Sequence, residues 1–231
     1  MTLEGIVNTA RSLSYYSRLQ EVTANNLANA NSDGFKADRL AAHATRGSGH
    51  PVPVETTDLE QGSLKNTGRP LDVALEGQGF LVVRTPNGDR LTRGGSLRLD
   101  GAGLLVDAHG RPVLGTEDGP ILVNGTKVEV LADGTVLVDR APAGQLRIAT
   151  VEDPTTLRKE GAGCFVPAGP LVPVPPTDTV VHQGAVEEAN LDPLLSMVEL
   201  VNIQRGYAAN VEALKAMDSV LGEVTNEVGK V

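Results

Sequence analysis

The chain changes character at one polar, turn-rich segment, Asn25-Asn26-Leu27-Ala28-Asn29-Ala30-Asn31-Ser32-Asp33-Gly34-Phe35-Lys36. The residues before it form a long amphipathic segment, whereas those after it are rich in glycine and in short apolar runs typical of β-strands. Asn31 and Gly34 tolerate a left-handed backbone, so they predict a structural turn at which a helix ends. Phe35 is then expected to pack beneath this turn and anchor it.

An N-terminal helix is predicted over residues 2–30. Its inward positions recur at alternating intervals of three and four, which is the heptad pattern of a helix that meets a partner helix. The positions of this seam are Leu3, Ile6, Ala10, Leu13, Ser17, Gln20, Ala24 and Leu27. Because Ser17 and Gln20 are polar and Ala10 is small, the helix is marginal in isolation. Taken alone, the pattern fits a core helix of a globular domain equally well.

A second amphipathic helix is predicted over residues 192–228. Asp192 suits the N-cap, and Pro193 suits the first helical position. The seam of this helix again alternates by three and four, at Leu200, Ile203, Tyr207, Asn210, Leu214, Met217, Leu221, Val224 and Val228. Gly206 and Gly222 lie inside the pattern, and each weakens a helix by about 1 kcal/mol relative to alanine. We therefore expect both terminal helices to need partners and to be frayed or disordered in the free subunit.

The middle of the chain has the texture of an all-β domain. Many short apolar runs at even spacing, separated by turns, predict a sandwich or an open barrel. The clearest hairpin signal is Pro86-Asn87-Gly88-Asp89, in which Asn-Gly favours a type I′ turn. Residues 36–70 are interrupted by glycine and proline and predict an irregular or extended connector with room for one short strand pair. Residues 166–176 contain five prolines, too many for a central strand, and are expected to run along the surface.

These patterns together predict an α+β fold. Long N- and C-terminal helices pair as a coiled-coil-like domain around a mostly antiparallel, β-rich middle domain, a sandwich or open barrel. The predicted parts are the N-terminal helix (1–34), a connector (35–70), a β-rich outer domain (71–182), and a connector strand with the C-terminal helix that completes the helical domain (183–231). Helices at both ends of a β body are an unusual layout for an enzyme and a natural one for a subunit that assembles through its ends.

Composition excludes several classes of function. The formal net charge of −9 and the lack of a basic block argue against a general nucleic-acid-binding protein. No apolar run is long enough for a membrane span, and no cleavable signal peptide is visible. Cys164 is the only cysteine, so an intrachain disulfide is impossible, and the residue is expected to be a small buried hydrophobe.

The sequence offers no constellation for catalysis, metal binding or cofactor binding. The histidines have no metal-ligand spacing: His43, His50, His109 and His182 are scattered. Gly47-Ser48-Gly49 and Gly101-Ala102-Gly103 lack the following helix and the Lys-Ser/Thr pair of a phosphate loop. Asp72 beside Arg69 is interpreted as an ordering ion pair or a solvated charge. We therefore predict that the protein is not an enzyme, with no metal and no cofactor.

Three blocks of sequence resemble the bacterial flagellar axial proteins, the rod, hook and hook-associated subunits. The first is the segment 25–36. The second runs from Arg69-Pro70-Leu71-Asp72-Val73-Ala74-Leu75-Glu76-Gly77-Gln78-Gly79-Phe80-Leu81-Val82-Val83 through Leu91-Thr92-Arg93-Gly94-Gly95-Ser96 to Gly101-Ala102-Gly103-Leu104-Leu105-Val106. The third is Val186-Glu187-Glu188-Ala189-Asn190 followed by Val201-Asn202-Ile203-Gln204-Arg205-Gly206-Tyr207. The blocks span most of the chain in the order of that family.

The resemblance implies a structural subunit of the flagellar basal-body rod. In that family the terminal helices pair and stack beside those of neighbouring copies, forming a tube that transmits torque and encloses the export channel, with the β domain outside. Open interfaces that do not close on themselves give such a filament. The implied partners are other copies of the chain, homologous rod and hook subunits, and the flagellar type III export apparatus, with no direct membrane insertion. The implied location is the periplasm-spanning rod of the basal body, reached without a cleaved signal peptide.

Within the family, the chain is most similar to the short proximal-rod type, rod protein F. The distal-rod type is second, because Gln204-Arg205-Gly206-Tyr207 resembles its C-terminal helix. The hook subunit fits less well, since it has an additional outer domain. Two other classes stay open from the residues alone: an enzyme with a β-sandwich and a helical dimerisation hairpin, and an adhesin-like binding module with a helical oligomerisation stem.

The predicted assembly interface consists of residues of the two helical seams and of asparagines near the turn. Its members are Leu3, Ile6, Ala10, Leu13, Asn25, Asn26, Leu27, Asn29, Leu200, Ile203, Tyr207, Leu214, Met217, Leu221 and Val224.

Overall fold

The computed structural model describes residues 2–44 and 51–228. Two helices, α1 (Thr2–Ala28) and α2 (Pro193–Val228), lie at the ends of a chain whose middle is built from strands. The strands are β1 (Asp38–Ala44), β2 (Pro51–Thr57), β3 (Leu64–Asn66), β4 (Val73–Gly77), β5 (Phe80–Thr85), β6 (Gly88–Thr92), β7 (Arg98–Leu99), β8 (Leu105–Val106), β9 (Val128–Val130), β10 (Thr135–Val138), β11 (Ala141–Gln145), β12 (Ile148–Thr150), β13 (Arg158–Gly161), β14 (Cys164–Val166), β15 (Val172–Pro173), β16 (Thr179–Gln183) and β17 (Ala185–Glu187). The α+β class is confirmed.

The chain divides into two compact units. The helical unit contains the described residues of 2–28, 38–56 and 192–228, and the β-rich unit contains residues 29–37 and 57–191. In the helical unit, α1 packs against α2, and the strands β1 and β2 form a two-stranded sheet. Asn26 fixes the start of this sheet, because its side chain donates to the carbonyl of Asp38 at 2.8 Å and accepts from the Asp38 N–H at 2.9 Å.

The division differs from the predicted domains because strands far apart in sequence pair with each other. Strand β3 lies in the predicted connector but pairs with β17, with Lys65 opposite Val186. Strand β16 pairs along the whole of β4. Residues 57–70 and 183–191 therefore belong to the β-rich unit. The strand pair for which the predicted connector left room is present as β1 and β2, each of seven residues.

The strands of the β-rich unit are antiparallel. The largest sheet has the order β13-β14-β6-β5-β12-β15, and a second has the order β11-β10-β9. Two apolar clusters fill the unit, one around Leu81, Val83 and Val136 and one around Val82 and Phe165. Consecutive residues of β5 thus face different clusters, because side chains alternate along a strand.

The predicted hairpin between β5 and β6 is confirmed, but its turn is displaced by one residue. Thr85 pairs with Gly88, so the two turn residues are Pro86 and Asn87. The predicted type I′ turn on Asn87-Gly88 is wrong, because a type I′ turn needs positive φ at both central residues and proline fixes φ near −65°.

The predicted start of the C-terminal helix is confirmed. The Asp192 carboxylate accepts from the N–H groups of Leu194 at 2.8 Å and Leu195 at 3.2 Å, which is the hydrogen bonding of an N-cap. Neither α1 nor α2, over their described residues, has the length and apolar character of a membrane-crossing helix.

Candidate assembly surface and junction

The helices α1 and α2 meet along one face and run in opposite directions. Thr9 lies beside Met217, with its hydroxyl 3.8 Å from the sulfur atom. Further along, Tyr16 lies against Gly206, so closely that a Cβ atom on Gly206 would stand 2.6 Å from the Tyr16 ring. The absence of a side chain at Gly206 therefore lets the tyrosine ring reach the backbone of α2.

On α1, alternate positions of the predicted seam lie on the inward face. Ile6, Leu13, Gln20 and Leu27 are half-buried, whereas Ala10, Ser17 and Ala24 are exposed. Their inward places are taken by the residues one position earlier: Thr9 and Thr23 are buried and Tyr16 is half-buried. The inward residues are therefore spaced three or four apart, as in the predicted seam, but the two intervals alternate in the opposite order.

The remaining predicted interface residues at this end of the chain divide by exposure. Asn25 is exposed, while Asn26 and Asn29 are half-buried; Asn31, predicted as a turn residue, is exposed. Leu3 lies on α1, but its side chain falls outside the described ones, as does that of Val224 on α2.

On α2, the inward face is formed by the predicted residues Leu200, Ile203, Leu214 and Leu221. Ile203 is buried and the other three are half-buried. Tyr207 and Met217 stand at the margin of the face, with 38% and 36% of their surfaces exposed.

A second face of α2 is apolar and uncovered. Its residues, here named the apolar patch, occupy the first turns of the helix: Leu194, Leu195, Met197, Val198 and Val201. Their exposed fractions range from 46% for Val201 to 70% for Leu194. Exposed apolar surface of this kind is typical of regions where a protein contacts another molecule. The heptad pattern did not predict the apolar patch, because the patch lies off the seam of α2.

The turn after α1 is closed by a glycine that no other residue can replace without strain. Gly34 has φ of +65°, and a Cβ atom there would lie 2.2 Å from the carbonyl carbon of Arg93. The Gly34 N–H donates to the carbonyl of Glu187 at 2.7 Å. Phe35 is buried, as predicted, and the ammonium of Lys159 lies 4.3 Å from the centre of its ring.

Three distant segments meet beside this turn. They are residues 34–37, 58–62 and 187–190, and together with Arg93 they are called the junction. The side chain of Asn190 joins all three segments, because its amide oxygen accepts from the N–H of Ala37 at 2.7 Å and its amide nitrogen donates to the carbonyls of Asp58 at 2.9 Å and Glu60 at 3.1 Å. The junction thus ties the chain that follows α1 to the chain that precedes α2.

The centre of the junction is a buried cluster of three charges. The Glu187 carboxylate, fully buried, accepts from the ammonium of Lys36 at 2.5 Å, from the guanidinium of Arg93 at 3.1 Å and from the N–H of Gly62 at 3.0 Å. Burial lowers the pKa of Lys36 and that of Arg93, and the hydrogen bonds and charge of Glu187 oppose this effect. One carboxylate therefore compensates two buried cations.

Arg93 also closes the outer edge of β4. Its guanidinium donates to the carbonyls of Leu75 at 3.2 Å and Gly77 at 2.6 Å. Gln61 acts on the same edge, donating to the Leu75 carbonyl at 2.9 Å and accepting from the Gly77 N–H at 3.0 Å. Two side chains thus take the place of a neighbouring strand and satisfy the backbone groups of β4 that face away from β16.

The charged residues of the junction were not predicted as site residues. Lys36, Arg93 and Glu187 each lie within one of the blocks quoted above, but nothing in their spacing shows that they meet. The ion pair between Arg69 and Asp72, which was predicted, is present at 2.8 Å. Among the described residues, no group of histidine, cysteine or carboxylate side chains has the arrangement of a metal site. His50 and residues 47–49 lie outside the described residues.

Comparisons with known proteins identify the family. Models described as "Flagella basal body rod protein", "Flagellar hook protein FlgE/F/G D1 domain" and "Flagellar basal body rod FlgEFG protein C-terminal" match residues 10–36, 74–138 and 182–227. The flagellar basal-body rod protein FlgF of Escherichia coli K12 is 31% identical over 227 residues, which cover 88% of this chain and 89% of the relative. The chain belongs to the flagellar basal-body rod protein family, and it is of the FlgF type.

Two further FlgF proteins extend this similarity. The one from Caulobacter vibrioides is 28% identical over 91% of this chain and 92% of its own length. The one from Salmonella typhimurium is 30% identical over 86% of this chain and 88% of its own length. The family and the type predicted from the sequence are confirmed. Each matched region contributes one charge to the junction: Lys36, Arg93 and Glu187.

The rod protein is a structural subunit of the flagellar basal body and not an enzyme, as its relatives are structural rod proteins. Membership of the rod and hook family also gives it assembly partners of the same family within the basal body.

Proposed function

We propose that the rod protein assembles through its two terminal helices into a tube that encloses the export channel and transmits torque. In this proposal α1 and α2 pair as a coiled-coil-like hairpin, and the β-rich unit, a sandwich or open barrel, forms the outer domain. The interface residues predicted from the seams and the asparagines of the turn contribute to contacts within and between subunits.

The apolar patch is the observation that supports this proposal best. α1 and α2 already contact each other through Ile203 and its neighbours, so the patch is not needed to hold the helix pair together. Burying exposed apolar surface stabilises association by about 25 cal/mol per Å² before the costs of ordering are subtracted. A neighbouring rod or hook subunit, presenting its own helices, is the occupant that the family membership supplies.

The stiffness needed for torque follows from the same arrangement. Helices packed against helices resist bending, because close-packed side chains have low compressibility. The junction adds a rigid link within the β-rich unit, since its charges and amides bind three chain segments at once.

Export and location complete the proposal. The rod protein passes through the flagellar type III export apparatus without a cleaved signal peptide, and the assembled rod spans the periplasm. Its partners are further copies of itself and homologous rod and hook subunits. Binding of nucleic acid and direct membrane insertion play no part in it.

The proposal is tested by replacing Leu194, Val198 and Val201 together with glutamine, which has a high helix propensity and keeps α2 helical. The variant gene is expressed in cells whose own copy is deleted, and swimming and isolated basal bodies are examined. We expect a folded, expressed subunit that fails to support rod assembly. Normal rods and swimming in this variant contradict the proposal.

A matched pair of single variants tests whether the patch itself is responsible. Val198 and Val220 lie on the same helix, and 54% of the surface of each is exposed. Val198→Gln is expected to reduce assembly more than Val220→Gln, since only Val198 belongs to the apolar patch. Equal effects show that the contact surface is not centred on the patch.

A further inference from the structure

The outer strands of the large sheet in the β-rich unit carry features that oppose pairing with another strand. The sheet ends at β15 on one side and at β13 on the other. An outer strand presents unpaired N–H and C=O groups, which are a template for addition of a strand from another molecule. The chemistry of the two edges therefore decides whether β-rich units can join through their backbones.

The register of β15 places Pro173 where an outward N–H donor would lie. Val172 lies opposite Thr150, and Pro173 lies opposite Ala149. The Val174 N–H donates to the carbonyl of Ile148 at 3.1 Å, so Val174 points its backbone groups towards β12. Because this direction alternates along a strand, Pro173 points its backbone outwards. Pro175 lies just beyond the end of β15, where its carbonyl accepts from the Asp178 N–H at 3.0 Å in a turn. Both are prolines, which have no N–H group to donate.

Without these prolines the segment has the composition of an aggregation-prone strand. Residues 171–175 read Leu-Val-Pro-Val-Pro, and Val172 exposes 43% of its surface. Short segments rich in valine and leucine, with low charge and no proline, form intermolecular β-structure readily. The two prolines thus hinder a segment of high strand propensity from pairing with another strand along its outer edge.

The opposite edge is protected by charge and by irregular geometry. Strand β13 contains three consecutive charged residues, Arg158, Lys159 and Glu160. Its pairing with β14 is interrupted by a register shift between Lys159 and Gly161. Charged side chains and bulges on an outer strand both hinder the approach of another strand.

A second sheet also has a proline and a register shift on one of its outer strands. Its outer strand, β11, contains Pro142 and pairs with β10 through a register shift after Val136. At the end of this strand the carbonyl of Gln145 accepts from the N–H of Thr116 at 2.9 Å, so this acceptor is already used.

We propose that the outer strands of the β-rich unit prevent strand pairing between copies, so that polymerisation is confined to the helical unit. The need for such protection rests on the proposed function, since assembly through the helices brings β-rich units of many copies to high local concentration. Strand addition between them would form open-ended contacts that compete with the rod. Pro173 carries this protection within β15, and Pro175 lacks an N–H group immediately beyond its end.

The experiment replaces both prolines with threonine in the full chain. P173T/P175T restores the outward N–H group of residue 173 and an N–H group at residue 175, and it adds residues of high strand propensity. The matched control, P167T/P170T, removes two prolines that precede β15. Samples are incubated at equal concentration and followed by thioflavin fluorescence and by the fraction of protein that sediments. We expect a several-fold rise in both signals for P173T/P175T and no rise for P167T/P170T.

A third variant separates edge pairing from loss of stability. P173K/P175K also restores the N–H groups, but its charges keep the edge unsuitable for pairing. It is expected to stay as free of thioflavin-positive aggregate as the parent chain. The proposal is overturned if folded P173T/P175T shows no rise, or if the lysine variant aggregates as much as the threonine variant. The assay uses no rod assembly, so its result is independent of whether the apolar patch is an assembly surface.

Discussion

Glu187 is the residue on which the junction depends. Its carboxylate is the shared partner of Lys36 and Arg93, and all three side chains are almost completely buried. A buried ion pair is weak evidence of stability, because desolvating the charges offsets their attraction. The loss of one partner is different, since it leaves the other charges buried and uncompensated.

Glu187→Gln is therefore expected to lower the free energy of unfolding by about 3–5 kcal/mol. The neighbouring residue provides the control, because Glu188 forms an exposed pair with Lys65 at 3.5 Å. Glu188→Gln should cost no more than about 1 kcal/mol, as surface pairs do. The measurement is urea unfolding followed by circular dichroism, since the chain has no tryptophan. Equal losses in the two variants contradict a special role for Glu187.

A comparison of Gly34 with Gly68 separates the stability cost of backbone strain from that of steric overlap. Gly34 and Gly68 have φ values of +65° and +69°, but only Gly34 has neighbours within reach of a new Cβ atom. Gly68→Ala should cost about 1–2 kcal/mol, the penalty of a left-handed backbone with a side chain. Gly34→Ala should cost clearly more, because Arg93 must move as well. Urea unfolding of both variants measures the difference, and equal costs show that the turn relaxes freely.

The thiol of Cys164 is expected to be unreactive towards thiol reagents in the folded protein. It is buried, and desolvation raises the pKa of its thiol to about 11, so very little thiolate forms at mildly alkaline pH. Labelling by an aromatic disulfide reagent should then proceed only as fast as the β-rich unit opens. The denaturant-unfolded chain, which should react at once, is the control. Rapid labelling under native conditions would show that the site is accessible.

At the scale of elements, the sequence predicted the helices better than their contacts. Residues 6, 13, 20 and 27 of the N-terminal seam were placed on the inward face, and the intervening positions were assigned one residue too late. The reason is local: Thr9 and Ala10 are both compatible with a helix interface, and hydropathy cannot choose between them. Tyr16 is inward because Gly206, on the other helix, leaves room for its ring. That information lies outside the N-terminal segment.

Gly206 was interpreted from the sequence as a weakness of α2, and the structure gives it a packing role. Replacing a helical glycine with alanine stabilises a helix by about 1 kcal/mol when the new methyl group is free. Gly222→Ala should show this gain, because nothing lies within 4 Å of its Cβ position. Gly206→Ala should instead destabilise the helical unit, since its methyl group would overlap the Tyr16 ring.

Thermal unfolding followed by the helical signal compares the two variants. In a Tyr16→Ala background, which has its own cost from the lost packing, Gly206→Ala is expected to cause little further loss, because the overlap is removed. Stabilisation by Gly206→Ala on its own would contradict the packing role of this glycine.

In the middle domain, strands were predicted correctly where neighbouring residues in the sequence define them. The β5–β6 hairpin and the proline-rich outer segment are examples, because turn residues and missing N–H donors are visible in the sequence. Strand β3 was not recognised, since its three residues are exposed and its partner β17 comes near the end of the chain. The junction was missed for the same reason. Lys36 and Glu187 become neighbours only when the β-rich unit has folded.

At the scale of the whole molecule, the two units differ in what holds them together. The β-rich unit has two apolar clusters and the buried charges of the junction. The helical unit depends on one face shared by α1 and α2, and it leaves the apolar patch exposed. Local opening is easier where fewer buried contacts must be broken. The free subunit should therefore open first in its helices.

Limited proteolysis of the purified chain tests this order. We expect rapid cleavage within about the first 35 residues and after about residue 190, with the β-rich unit surviving, because proteases cut segments that open most often. Mass spectrometry of the products locates the cuts. Glu187→Gln is the informative companion variant: it should make the surviving core more sensitive while leaving cleavage of the helices unchanged, since Glu187 stabilises only the β-rich unit. If the helices of the free subunit resist cleavage as well as the core does, their shared face is already sufficient for stability. Assembly would then add contacts to a preformed helical unit and would not be required to order it.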